Sequence, residues 1–354
     1  MSLKSINKHL DAHGLAVSNL GSISEQSICG CISTATHGTG FQFPSISSQV
    51  IEFEMYLANG QRVRCSRNQG EGETNERLFL ATLCGLGTTG IVVRVTLSVE
   101  RAFRLREVRE LVSYEEAFEG ANPELFGANL VEAMGSAEHV RMWWYPQSNR
   151  VCVSRSDRTY EPVPSLQAMS LSPLGKLGNW FWETFLGHST LQFAYFIGRY
   201  WPNVNYYAGL FYSSPLFFTR SFRSFSPSFF RRGLKPSSST LPPTPLQPLL
   251  PPSPSRTESG SNNHHPIVTL LDVSHKIFNV DCLFPQYTVE WSVPLSNASS
   301  CLRDVRTWLD EEHRNPKGLR PHFPIEVRCS DEDDIWLSPA YGRKTCWIGI
   351  MVYK

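Results

Sequence analysis

The chain lacks the glycine motifs that most often announce a nucleotide. No G-x-x-x-x-G-K-[ST] run occurs, which argues against a P-loop, and no G-x-G-x-x-G lies between a strand and a helix, so a Rossmann fingerprint is missing too. An excess of charge of one sign is lacking as well. Thirty-three Lys and Arg against 32 Asp and Glu leave a net charge of +1, with no basic tract to bind nucleic acid. The nine cysteines form no C-x-x-C pair and are odd in number, which speaks against zinc and a disulfide framework and for reduced thiols. Nothing at Met1 reads as a signal peptide, so a chain that is not secreted is expected, and the Asn297-Ala298-Ser299 sequon then carries no glycan. The apolar run Gln192–Ile197 is far below the roughly 20 residues a membrane helix needs. The aromatic-rich segment Trp180–Phe218 around it is expected to form a core helical pair, with contact to a membrane surface as the alternative.

What is present is concentrated in Ser27-Ile28-Cys29-Gly30-Cys31-Ile32-Ser33-Thr34-Ala35-Thr36-His37-Gly38-Thr39-Gly40. Small residues, hydroxyls and three glycines in fourteen positions do not suit an ordinary amphipathic helix. They suit a loop whose backbone N–H groups hold a diphosphate, against the alternative of a surface turn without function. Downstream, Val50–Leu57 and Arg62–Cys65 alternate around Asn59-Gly60, which predicts a hairpin with a type I′ turn. Leu78–Val92 predicts a short helix, a second Gly/Thr-rich turn and a strand over 91–99.

The segment 221–265 is dense in proline and serine and is expected to be a disordered insertion. Its His264 and His265 are expected to be solvated, and no metal site is expected in the chain. Beyond it, strands are predicted over 287–294, 325–329 and 345–353, with a helix over 296–313 that carries Leu302, Val305, Trp308 and Leu309 on one stripe. Glu326 and Arg328 share a face of their strand at period 2. They are candidate catalytic residues, against the plainer reading of a surface ion pair.

The order Asn19-Leu20-Gly21-Ser22-Ile23, Ser33-Thr34-Ala35-Thr36-His37-Gly38, Leu57-Ala58-Asn59-Gly60 and Gly87-Thr88-Thr89-Gly90-Ile91-Val92 resembles the flavin domain of the vanillyl-alcohol-oxidase-type (PCMH) flavoenzymes. A second block, Leu319–Arg328 followed by Asp333-Asp334-Ile335-Trp336-Leu337-Ser338-Pro339, narrows the resemblance to the aldonolactone oxidases, the D-arabinono-1,4-lactone type in particular. The resemblance covers about 1–222 and 266–354. It implies an α+β fold: the later part of an FAD-binding domain over 1–100, and a substrate (cap) domain over 101–220 and 266–354, interrupted by the insertion.

By the same resemblance the chain is expected to be truncated at both ends, without the segment carrying a flavin-linked histidine and without a closing His-Trp-x-Lys; His9 and His13 are not that histidine. The resemblance implies FAD, with Ser27 near the flavin and substrate. Gly30, Thr34, Thr36, His37 and Gly38 would surround the diphosphate and ribityl chain, and Ile91 would contact the cofactor through its backbone. Arg328 would bind substrate hydroxyls and stabilise negative charge on the reduced flavin, while Glu326 would orient the lactone. Asp333, Asp334 and Trp336 are expected to be structural. The implied reaction oxidises the C2 hydroxyl of an aldono-1,4-lactone to an ascorbate-type product, with electrons passing to O2 as hydrogen peroxide. The alternatives are another polyol or sugar oxidase, or an inactive truncated product. A mitochondrial membrane, reached by peripheral association, is the location the family suggests, otherwise the cytoplasm.

Overall fold

The computed structural model describes residues 1–67, 73–119, 128–161, 188–214, 267–279, 286–315, 318–322 and 324–353; the expected insertion at 221–265 lies outside them. Helices and sheets are mixed, as an α+β fold requires. In chain order the first elements are α1 (Leu3–Ala12), β1 (Leu15–Ala16), α2 (Ile28–Ser33), β2 (Val50–Tyr56), β3 (Arg62–Ser66), α3 (Glu73–Thr82), β4 (Ile91–Leu97) and β5 (Glu100–Arg101). Strands β3-β2-β4 make one antiparallel sheet, and β1 pairs with β5. Phe53, Met55, Phe79, Ile32 and Leu20 form the core beneath them, with Phe53 and Phe79 stacked at 5.2 Å.

Two local expectations are corrected here. The Ser27–Gly40 run is not all loop: Ile28–Ser33 is a helix, because Ser27 caps it and its Oγ accepts the Gly30 N–H at 3.1 Å. Ile28, Cys31 and Ile32 turn inward at helical spacing and bury an apolar edge. The β2–β3 hairpin is also not type I′. Only Gly60, at φ +82°, is left-handed, and the Gly60 N–H donates to the Leu57 carbonyl at 2.9 Å. That is a four-residue turn ending in a left-handed glycine, the other common way to match strand twist. The glycines of Gly85-Leu86-Gly87-Thr88-Thr89-Gly90 do have dinucleotide-loop spacing, but they run from helix α3 to strand β4, the reverse of the order that motif needs.

The rest of the described chain builds β6 (Arg104–Ser113), α4 (Ala128–Met134), β7 (His139–Tyr145), β8 (Arg150–Thr159), α5 (His188–Gly198), α6 (Pro202–Tyr212), β9 (Ile267–Val273), α7 (Ser274–Phe278), β10 (Gln286–Pro294), α8 (Ala298–Arg314), β11 (Ile325–Ser330) and β12 (Thr345–Tyr353). Seven strands form one antiparallel sheet in the order β10-β12-β11-β7-β8-β6-β9. Strand alternation splits its residues between two faces. One face carries Met142, Trp144, Val151, Val153, Val327 and Ile348, and α8 covers it with Leu302 and Leu309, each worth roughly 1.5–3 kcal/mol of burial. Trp308, expected on the same stripe, is 43% exposed instead, because it is six positions from Leu302 and falls off the buried arc.

The opposite face carries Arg109, Glu107, His139, Arg141, Trp143, Glu326, Arg328 and Trp347 in place of aliphatic side chains. A charged sheet face can be buried only if its charges are paired and its donors satisfied. The covering layer is the segment after α2. The Gly40 N–H donates to the Cys329 carbonyl at 2.9 Å, the Thr39 hydroxyl to the Val140 carbonyl, and Lys344 Nζ to the Phe41 carbonyl at 2.7 Å. Gly40 sits at φ +147°, and a Cβ there would come within 2.8 Å of the Glu138 carbonyl, so no other residue fits this seam without strain.

Candidate functional site

Antiparallel register sets the site. On β11 Glu326 is opposite Gly349 of β12 and Trp143 of β7, while Arg328 is opposite Trp347 and Arg141. Gly349 is in turn opposite Glu290 of β10. The absence of a side chain at Gly349 leaves a notch between two carboxylates, and a Cβ there would meet Glu290 Oε1 at 3.6 Å and Glu326 Cβ at 3.7 Å.

Glu326 is held by one hydrogen bond and two ion pairs. The Trp143 indole N–H donates to Oε1 at 3.3 Å, Arg141 Nε is 3.7 Å from the same oxygen, and Arg328 Nε is 3.6 Å from Oε2. Arg141 also donates to the Phe278 carbonyl at 3.1 Å. Arg328 donates to Glu290 Oε1 at 2.7 Å, to Ser22 Oγ at 3.2 Å and to the His37 carbonyl at 3.4 Å. Two cross-strand arginines, which would repel each other alone, are thus separated by Glu326 and balanced by Glu290. Burial would lower the Arg328 pKa, yet Glu326 and Glu290 outweigh it and the net direction is up. Glu290 runs the other way: burial pushes its carboxyl up, but Arg328 and His37 hold it well below the usual carboxylate range.

His37 is the pivot between the two halves. Its ring stacks on Trp347 at 3.8 Å and 16°, its Nε2 is 3.0 Å from Glu290 Oε2, and its Nδ1 is 2.9 Å from the Gly38 carbonyl oxygen. Burial and the neighbouring Arg328 push its pKa down, so the ring is neutral at pH 7. Next to it Gly38 is packed without slack. A Cβ would fall 2.1 Å from Asn19 Oδ1 and 2.6 Å from the Leu20 carbonyl. Asn19 is 1% exposed, and both of its side-chain polar atoms lack a hydrogen-bond partner among the described residues.

The structure therefore divides the expected cofactor residues. His37 and Gly38 are buried and join Glu326 and Arg328 in one network. Ser27, Gly30 and Thr34 lie on one exposed side of α2 at helical spacing, where Thr34 Oγ1 donates to the Gly30 carbonyl at 2.9 Å. The Gly30 N–H is taken by the Ser27 cap. Thr36 is half-buried, its methyl against Gly21. Ile91 is 72% exposed on β4, which pairs with β2 alone among the described strands. Ser27, Gly30, Thr34 and Ile91 make no hydrogen bond to the charged network among the described residues. Asp333 is spent on a turn, accepting from Ser45, Ser338 and the Ile335 N–H, and Asp334 pairs with Arg67.

Glu290, Arg141, Trp143, Trp347 and Asn19 escaped the sequence reading. Glu290 had a signal: with Thr288 and Ser292 it makes one side of β10 polar. A small polar cavity is lined by Arg141 together with Thr39, Glu107, His139, Ser154, Ser156, Ile277 and Phe278. Burial lowers the His139 pKa to about 3, and its Nδ1 donates to the Thr39 carbonyl at 2.7 Å.

These residues fit a flavin. A buried amide at Asn19 with donor and acceptor both unmet, beside a loop with no room for a side chain, calls for a polar partner from outside the described chain. Ring or ribityl groups of a flavin would supply one. Comparison with known proteins agrees. A family model for an FAD-binding domain matches residues 1–66, and FAD is the cofactor. The architecture is found in cholesterol oxidase from B. sterolicum, with a TM-score of 0.64 at 16% identity over 100% of this chain and 62% of that one. L-gulonolactone oxidase of Scyliorhinus torazame is 28% identical over 99% of this chain and 63% of its own. D-arabinono-1,4-lactone oxidases of Eremothecium gossypii and Saccharomyces cerevisiae are 29% and 28% identical, over 92% and 94% of this chain. The chain spans 63% of the first relative's length and about half that of the other two. The family model for D-arabinono-1,4-lactone oxidase matches residues 95–230 and 251–354, more than half of the chain, which places the seven-stranded sheet and helix α8 inside the match. The chain belongs to the D-arabinono-1,4-lactone oxidase family.

Proposed function

We propose that this chain supplies the substrate-binding face of an FAD-dependent oxidase of aldono-1,4-lactones, with D-arabinono-1,4-lactone as the preferred substrate and O2 as the electron acceptor. The observation that supports it is the buried Glu326–Arg328–Arg141 network, pinned by Glu290 and His37 to the loop that matches the FAD-binding domain. FAD, when bound, would take up the hydride, with its electron pair, that leaves the alcohol carbon.

The protein's part is binding, orientation and charge. Arg328 donates to substrate oxygens and holds positive charge where negative charge builds up during oxidation. Glu326, with an indole and two guanidiniums fixing its carboxylate, accepts hydrogen bonds from the lactone hydroxyls and sets which carbon faces the ring. His37, Gly38, Thr36 and Asn19 would hold the cofactor from the loop side, and Ser27, Gly30, Thr34 and Ile91 from the α2–β4 surface.

The test is lactone-dependent peroxide release by the flavin-loaded protein with D-arabinono-, L-gulono- and L-galactono-1,4-lactone. Glu326→Gln keeps the shape and removes the charge-assisted bonds, so kcat/KM should fall about 10–100-fold, as expected for hydrogen bonds to a charged group worth roughly 1.5–3 kcal/mol. Peroxide release from open-chain polyols but from no lactone would overturn the reading.

A second observation supports peripheral membrane association as part of the same proposal. Helices α5 and α6 and the turn between them hold Phe193, Tyr200, Trp201 and Tyr207 at 63–70% exposure. The expected core pair is thus a pair that turns aromatics outward. No helix among the described residues is long and apolar enough to cross a membrane. Aromatics of this kind favour the headgroup layer. Sedimentation with anionic phospholipid vesicles should carry the protein down, and Phe193→Ser with Trp201→Ser should leave it in the supernatant. Equal sedimentation of both would rule the surface out.

A further inference from the structure

We propose that Glu290 is the positioning residue of this site: one carboxylate on the edge strand β10 fixes the tautomer of His37 and the aim of the Arg328 guanidinium at once. The second half of this statement, that Arg328 is aimed at flavin and substrate, rests on the function proposed above; the first half does not.

The argument is one of acceptors and protons. His37 has an acceptor at each ring nitrogen, the Gly38 carbonyl 2.9 Å from Nδ1 and the Glu290 carboxylate 3.0 Å from Nε2. A neutral imidazole has one N–H to give. The carboxylate is the stronger acceptor, so the proton resides on Nε2 and donates to Glu290. The other carboxylate oxygen accepts from Arg328 Nη2 at 2.7 Å. Arg328 also reaches the His37 carbonyl at 3.4 Å, so Glu290, His37 and Arg328 close a ring of contacts across the seam between loop and sheet. Trp347 floors this ring by stacking on His37, and is itself fixed by donating to Ser330 Oγ at 2.9 Å. The side chain of Glu290 remains 26% exposed, so a change there disturbs little packing. This is the geometry by which a carboxylate orients a histidine elsewhere: it chooses which nitrogen bears the proton and holds the ring plane.

Substitution separates the two jobs. In Glu290→Gln the amide oxygen still accepts from Arg328, but its NH2 group now faces His37. Nε2 must then be the bare nitrogen, and the proton moves to Nδ1 and the Gly38 carbonyl. In Glu290→Ala both links are lost. The experiment is 15N NMR of histidine-labelled protein at pH 7, with an FAD titration followed by flavin fluorescence on the same samples. Wild type should show His37 protonated at Nε2, and both variants should show it at Nδ1. FAD affinity should fall about tenfold in Glu290→Ala, which is about 1.4 kcal/mol, and less than threefold in Glu290→Gln. A purely structural carboxylate would alter the melting temperature and leave the tautomer unmoved. The same His37 tautomer in all three proteins would overturn the proposal, and so would unchanged FAD affinity in Glu290→Ala. Protein that shows the tautomer switch and the affinity loss but oxidises no lactone would sink the proposed activity and leave the role of Glu290 standing.

Discussion

Arg328→Ala should abolish lactone oxidation and also weaken the fold by about 3–5 kcal/mol, the cost of breaking a buried ion pair from one side. The cause is electrostatic. Arg328 is buried and is the counter-charge of Glu290 at 2.7 Å, while sharing Glu326 with Arg141. Truncation leaves Glu290 with the neutral His37 alone, and Glu326 with Arg141 and an indole. Urea unfolding at pH 7 and again at pH 4 measures the stability part. The Glu290 carboxyl is held below the usual carboxylate range in the native protein, so its stabilising contribution is present above about pH 4.5 and is lost as pH falls below that. The deficit of the variant should therefore shrink in acid. Lysine at 328 should recover part of the stability and little activity, because an ammonium cannot span Glu290, Glu326, Ser22 and the His37 carbonyl as a planar fork does. An Arg328→Ala protein as stable and active as wild type would show that the face is an incidental ion cluster.

Gly38→Ala should be nearly as damaging by a different route. The new methyl would overlap Asn19 Oδ1 at 2.1 Å and the Leu20 carbonyl at 2.6 Å, and the second of these is backbone that cannot rotate away. The loop must move, and His37 moves with it. Overpacking of this kind costs roughly 1–3 kcal/mol or more, and FAD binding should be lost with it. Gly349→Ala is the control, since its methyl would make only ordinary contacts at 3.6–3.7 Å. Thermal melts of the three proteins with and without FAD give the result. A Gly38→Ala protein that still gains melting temperature on adding FAD would refute the placement of the loop against the cofactor.

Much of the local structure was legible because it rests on near neighbours in sequence. Strands β2, β3, β4, β10, β11 and β12 and helix α8 follow from alternation, turn residues and helical periodicity, and their bounds fall within a few residues of expectation. The helix at Ile28–Ser33 did not, because small residues conceal an amphipathic pattern that Ser27 makes possible by capping. Strands β6, β7 and β8 went unread: their inward positions hold Arg, Glu and Trp, so polarity alternates on both faces and the usual contrast is lost. For the site, Glu326 and Arg328 could be singled out because both lie on one strand. Their partners could not, since Arg141, Glu290 and His37 come from segments 38 to 291 residues away.

By itself, the sequence determined the elements, the face shared by Glu326 and Arg328, and a glycine-rich loop too tight for larger residues. These depend on backbone sterics and on the two-residue and 3.6-residue periods, which act within one segment. Only the tertiary structure decided that Glu290 completes the network, that His37 joins it across the seam, and that Ser27, Gly30, Thr34 and Ile91 lie on a separate exposed surface. The reason is register. Which residue of β10 or β7 meets Glu326 is set by strand pairing across the whole sheet, where a slip of one position would turn every charged side chain into the apolar core.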